Sequence, residues 1–225
     1  MPPLLLLTGF EPFGGDGFNP SGTIARGLHG HRLESGALVH GLPLPVSGPP
    51  AWRKLSRAIR QLQPHWVVAT GVSGRAEISL ESCAWNEDDF RIPDNAGLQP
   101  QGTPILGKGP ARLETGMEAG PLCREAVSGE LPVRLSRDPG RFVCNHLYYR
   151  LLHLTRRPLH GAHGRALFLH LPCTPEMRRG AEDRRFFHPL EDLQQTVLAL
   201  LEQLVREGSR SGSVAPADPR SRRKS

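Results

Sequence analysis

Short apolar runs, most of them too brief for a buried helix, alternate along this chain with segments of helical spacing. Leu4 to Leu7, Ala37 to Leu42, Trp66 to Thr70, Val133 to Leu135 and Ala166 to Leu171 read as strands. Between them, Pro20-Ser21-Gly22 opens a helix with Ile24, Ala25 and Leu28 on one face. Trp52 to Leu62 has helical spacing, and Met117 to Val127 is a further helix candidate. A helix begins at about Cys144, where Val143, Leu147, Leu151 and Leu154 recur at helical spacing. The clearest helix comes last, with Leu190, Leu193, Val197, Leu200, Leu201 and Leu204 in one stripe. Strands alternating with helices predict an α/β fold with a largely parallel sheet. In such folds the site lies at the carboxyl ends of the strands, an edge that suits the loop at Phe10, Cys144 after the Val133 strand, and His170. The region around Glu81 has no clear element, and Asp94-Asn95-Ala96-Gly97 is turn chemistry within a long loop reaching Pro110.

With 225 residues the chain is long enough for one sizeable core. The formal charge of +6 invites a nucleic-acid reading, but its placement argues otherwise. From Gly208 onward Arg210, Arg220, Arg222, Arg223 and Lys224 face only Asp218, and the body is close to balance. Residues 1–207 therefore read as a single domain and 208–225 as a basic, disordered tail. Aromatic residues make up only 6% and show no stacking pattern, so no nucleic-acid partner is expected. No apolar run approaches the roughly 20 residues of a membrane helix. Met1-Pro2-Pro3 lacks the basic leader of a signal peptide, which predicts a cytoplasmic protein.

Four cysteines are present, Cys83, Cys123, Cys144 and Cys173, with no Cys-x-x-Cys pair to suggest a zinc clip. Most should be small buried hydrophobes. Cys144 differs, because it follows a glycine-containing turn and opens a helix. Unpaired N–H groups and the positive end of the helix dipole stabilise a thiolate there and can hold an oxyanion. A buried thiol is the alternative. Among ten histidines, His170 sits in the apolar run Phe168-Leu169-His170-Leu171-Pro172, where a polar side chain needs a reason. It is either a catalytic base or a hydrogen-bonded core histidine, and His146 and His153 compete for the role of base. Glu77 and Glu81 are the carboxylates that could orient an imidazole.

Several of these segments together resemble the pyroglutamyl-peptidase I (pyrrolidone-carboxylate peptidase) family. They are Leu7-Thr8-Gly9-Phe10-Glu11-Pro12-Phe13-Gly14-Gly15 with Asn19-Pro20-Ser21, and Gly74-Arg75 to Glu81. Next come Arg91-Ile92-Pro93-Asp94-Asn95-Ala96-Gly97 with Pro100, then Gly140-Arg141-Phe142-Val143-Cys144-Asn145, and last His170-Leu171-Pro172. They run in the family's order. The resemblance implies a three-layer α/β/α sandwich with a twisted mixed sheet. It implies a cysteine exopeptidase that removes an N-terminal pyroglutamyl residue through a thioester, with Glu81, Cys144 and His170 as the triad. It implies substrate contacts at Phe10, Phe13, Asn19, Arg91, Ile92, Phe142 and Val143, with no metal or cofactor. Peptides with N-terminal pyroglutamate are the implied substrates, and a homo-oligomer, often a tetramer, the implied assembly. A relative that binds without turnover is the alternative. The chain departs from the family where Gly71 replaces an expected glutamine, in Ser136-Arg137-Asp138-Pro139-Gly140, and in Ser82-Cys83-Ala84-Trp85-Asn86.

Overall fold

A computed structural model describes residues 2–117, 122–123, 131–156 and 165–211. The central sheet contains β1 (Leu4–Phe10), β2 (Leu38–Leu44), β3 (Trp66–Val72), β4 (Ile78–Glu81), β7 (Val133–Ser136) and β8 (Ala166–Leu171). Its strand order is β2-β1-β3-β8-β4-β7. The first four strands in that order are parallel. β4 runs antiparallel to β8 and pairs in parallel with β7. A separate two-stranded ribbon joins β5 (Cys83–Trp85) to β6 (Arg112–Glu114). Pro43 falls in β2, an edge strand, where a missing N–H costs no ladder bond on the open side.

Alternation along the strands sorts the core into two faces. Leu5, Leu7, Trp66, Val68, Leu167 and Leu169 meet α1 (Pro20–Gly27) and the last helix, α4 (Leu190–Ser211). Leu6, Phe10, Val67, Ala69 and Phe168 meet α2 (Gly48–Leu62) and α3 (Val143–Thr155) on the other face. The result is the expected three-layer α/β/α sandwich. α1 begins where Asn19 accepts a hydrogen bond from the Ser21 amide with Pro20 in the first turn. It packs so close to β1 that a Cβ on Gly9 would lie 2.0 Å from the Ser21 carbonyl oxygen.

Three expectations need correction. Glu81, left without an element by the sequence, ends β4, a four-residue strand too short to show periodicity. β7 runs against β8, so its own carboxyl end points away from the edge where β1, β3 and β8 end; Cys144, reached through the 137–142 loop, still lies at that edge, its sulfur against Gly71. α4 continues through Ser211, so residues 208–211 are helical rather than part of a disordered tail, and the Gly208 carbonyl accepts a hydrogen bond from Arg165. Residues 212–225 lie outside the described residues, as does most of the Met117 to Val127 candidate, of which Leu122 and Cys123 are helical. Among the described residues no helix is long and apolar enough to cross a membrane.

Candidate active site

Strand parity assembles the chemistry. On β8 the α3-facing positions include Phe168 and therefore His170. The register sets His170 beside Gly71 of β3 on one side and opposite Ser79 of β4 on the other. Glu81, two residues beyond Ser79, faces the same way. Its carboxylate is fully buried, and Oε1 lies 2.8 Å from His170 Nδ1. The Tyr148 hydroxyl donates to the Glu81 carbonyl at 2.9 Å and fixes the end of the strand. Oε2 is buried without a hydrogen-bond partner among the described residues.

Cys144 stands in the first turn of α3. Phe142, the residue capping that helix, supplies no side-chain cap, so no side chain there competes for the first N–H groups. The Cys144 thiol lies against β3, where a Cβ on Gly71 would come within 2.8 Å of its sulfur and 3.1 Å of the Phe168 ring. Glycine at 71 thus leaves the room in which the thiol sits. The Cys144 thiol is close enough to the His170 imidazole to influence its protonation. Burial alone would push that imidazole down. The proximity and charge of Cys144 and Glu81 outweigh it and raise His170 to about 9.

A cavity of about 770 Å³ opens at Cys144 and His170. Phe10, Phe13, Asn19, Arg91, Ile92, Phe142 and Val143 all line it. Their characters differ. Phe13 and Phe142 form an aromatic wall, ring centroids 5.0 Å apart, and Phe90 backs Phe142 at 4.7 Å. Asn19 is already committed, its oxygen to Ser21 and its amide to the Glu11 carbonyl, so it shapes the loop and has little left for a ligand. Arg91 is exposed at the rim.

The competing candidates sit elsewhere. His146 is held by Asp88 and Arg150, His153 is exposed, and Glu77 precedes β4, apart from the Glu81–His170 pair. Sequence reasoning assigned no role to Arg75, which donates to Glu81 Oε1 at 3.0 Å, or to Arg179, which bridges Asp16 and the Gly14 carbonyl at the cavity mouth. A cation six residues before a buried carboxylate was the available signal for Arg75.

A thiol, an imidazole and a buried carboxylate in series beside an apolar cavity make up the apparatus of nucleophilic acyl transfer by a cysteine hydrolase. A sequence profile of the pyroglutamyl peptidases matches residues 4–204. A pyrrolidone-carboxylate peptidase of Chromobacterium violaceum is 41% identical over 173 residues, 76% of this chain and 79% of that protein. One from Ralstonia nicotianae is 38% identical over 179 residues, 79% and 82% of the two chains. Among solved structures, pyroglutamyl peptidase I of Bacillus amyloliquefaciens superposes with a TM-score of 0.82 at 31% identity, covering 92% of this chain and 98% of that one. The A199P mutant of the Pyrococcus furiosus pyrrolidone carboxyl peptidase gives 0.85 at 29% identity, with 91% and 99% covered. The chain belongs to the pyroglutamyl peptidase family.

Proposed function

We propose that this protein hydrolyses the amide bond that follows an N-terminal pyroglutamyl residue, with Cys144 as nucleophile, His170 as acid–base and Glu81 as orienter. The observation that carries this reading is the Glu81–His170 contact of 2.8 Å, with Cys144 beside Gly71, the β3 neighbour of His170, at the wall of an aromatic-lined cavity.

The Cys144 sulfur, its proton held by His170, attacks the acyl carbon bearing the lactam ring. The oxyanion forms near the N-terminal N–H groups of α3, where the helix dipole is positive. His170 returns its proton to the leaving amine as the C–N bond breaks. Water, deprotonated by the same imidazole, then cleaves the thioester, releasing pyroglutamate and the free thiol. The ring is flat, small and uncharged, and it fits between Phe10, Phe13, Phe142 and Val143, while loop backbone groups pair with its N–H and C=O. An N-terminal prolyl, glutamyl or glutaminyl residue would bring an unpaired ammonium or secondary amine into this wall, which is costly.

We also assign the peptidase unit to one domain that runs through the last helix to Ser211, a cytoplasmic location and a homo-oligomeric state. Turnover of pyroglutamyl, prolyl, glutamyl and glutaminyl chromogenic amides tests the reading. Strong preference for the first is expected. Comparable kcat/KM for the prolyl and pyroglutamyl amides would overturn the pocket assignment, and no turnover of any of them would favour a binding protein.

A further inference from the structure

The proposed chemistry uses Glu81 through Oε1, and it gives no role to the second donor on that oxygen, Arg75. This residue lies in the loop between β3 and β4 and lines the cavity. Its Nη1 donates to Glu81 Oε1 at 3.0 Å and to Ser136 Oγ at 3.2 Å, and its Nη2 donates to the Asp138 carbonyl at 2.8 Å. One guanidinium therefore spans the end of β4, the end of β7 and the 137–142 loop that leads to Cys144.

An ion pair on a protein surface contributes little. This one differs, because the Arg75 side chain is 37% exposed while Glu81 is 0% exposed. Glu81 Oε2 has no partner among the described residues, so His170 and Arg75 carry the solvation of a buried carboxylate between them. Removing one partner of such a pair leaves charge uncompensated, and the group relaxes by moving or by taking a proton. Either response would disturb the imidazole. Arginine suits the place because its planar fork reaches three acceptors in fixed directions, which the single ammonium of lysine cannot do.

We propose that Arg75 is a positioning residue for the reaction, holding Glu81 against His170 and at the same time anchoring the turn that presents Cys144. It acts through these groups and not on the substrate, so its loss should appear in kcat and in thiol reactivity, with little change in KM. The inference rests on the functional reading above for its kcat arm only.

The test compares wild type with R75A and R75K. Rates are counted per alkylatable Cys144, and folding is followed by melting temperature. R75A should lower kcat on a pyroglutamyl amide by about 10- to 100-fold, as displacement of a catalytic group by about an ångström does. KM should stay within about threefold and iodoacetamide alkylation of Cys144 should slow by about tenfold. R75K should fall between R75A and wild type. Added guanidinium chloride at sub-denaturing concentration should restore part of the R75A rate, since the side chain's site opens to the cavity, and should do nothing for wild type. Should R75A fail to fold, R75K carries the test, with at least fivefold losses expected in both kcat and alkylation. Variants within threefold of wild type in both readouts would overturn the proposal. So would a loss that follows melting temperature alone and responds neither to lysine nor to guanidinium. If wild type turned over no pyroglutamyl amide, the functional reading would fail, while the alkylation rates would still decide the role of Arg75.

Discussion

Two carboxylate–histidine–arginine groups lie on either side of the start of α3, and their wiring is opposite. In one, Arg75 and His170 Nδ1 share Glu81 Oε1, His170 Nε2 has no hydrogen-bond partner among the described residues, and Cys144 lines the same cavity as the imidazole. In the other, His146 Nδ1 lies 2.7 Å from Asp88 Oδ2, and the Arg150 guanidinium donates to His146 Nε2 at 3.1 Å. Arginine can only donate, so His146 Nε2 must accept and its proton must sit on Nδ1, facing Asp88. His146 thus has no nitrogen left for chemistry. A buried acid beside a histidine does not make a base, since the second nitrogen must also face a reactant. Where the cation sits, on the carboxylate or on the imidazole, separates a catalytic pair from a clamp.

The largest expected effects fall on the first group. Cys144→Ala should lower kcat by several orders of magnitude while melting within a few degrees of wild type, because it removes the nucleophile itself. Cys83 donates to the Arg137 carbonyl at 3.1 Å and Cys173 to the Ser73 carbonyl at 3.6 Å, and burial pushes both thiols up. Alkylation should therefore select Cys144 over these two, read by peptide mass mapping. Near-normal activity in Cys144→Ala would erase the contrast between the two groups.

Next comes Glu81→Gln, with an expected loss on the order of 10²- to 10⁴-fold in kcat. The amide can still accept from His170 but no longer supports its cation or balances Arg75. Glu77→Gln should change little. Equal losses at both positions would mean that the wrong carboxylate has been chosen.

Much of the first group could be read from the sequence, and almost none of the second. Cys144 announced itself by a glycine turn before a helix, and His170 by a polar side chain inside an apolar run. Parity along β8 then determines which face His170 takes, but only once the helix covering that face is known. Glu81 was reached through the family resemblance, since a four-residue strand gives no period to detect. The Asp88–His146 clamp depends on a loop that folds back through paired backbone bonds between Asp88 and Thr103, a long-range pairing without a local signal. Reversal of β4 and β7 is equally invisible, because an apolar run carries no direction.

A smaller effect concerns pH. His170 in the folded protein holds its proton more tightly than in the unfolded chain, at about 9 against 6.5. Its contribution to stability is then fully present below about pH 6.5 and is lost as pH rises through about 9. The alkaline limb of kcat/KM should fall near the same value. Since Cys144 supplies part of the upward push, Cys144→Ala should lower the His170 titration, measured by NMR of the ring protons. An unchanged titration would mean that Glu81 alone sets it.

The smallest effect on catalysis is expected from the second group, and the sharpest comparison uses one substitution in both places. Glutamine can donate to a carboxylate through its amide nitrogen and accept from arginine through its oxygen, so His146→Gln can satisfy Asp88 and Arg150 together. It cannot act as a base, so His170→Gln should lose activity nearly as completely as Cys144→Ala. For His146→Gln, kcat should stay within about threefold of wild type, because neither its nitrogens nor Asp88 touch the reacting atoms. Stability should fall by about 1–3 kcal/mol if the longer, flexible amide satisfies Asp88 imperfectly, since Asp88 Oδ1 is already buried without a partner among the described residues. That corresponds to a melting shift of about 2–4 °C per kcal/mol for a chain of this size. KM should rise modestly, because Asp88 anchors the loop that carries Arg91 and Ile92 into the cavity wall. A loss of kcat in His146→Gln as deep as that in His170→Gln, at unchanged melting temperature, would put His146 in the chemistry and break the distinction between base and clamp.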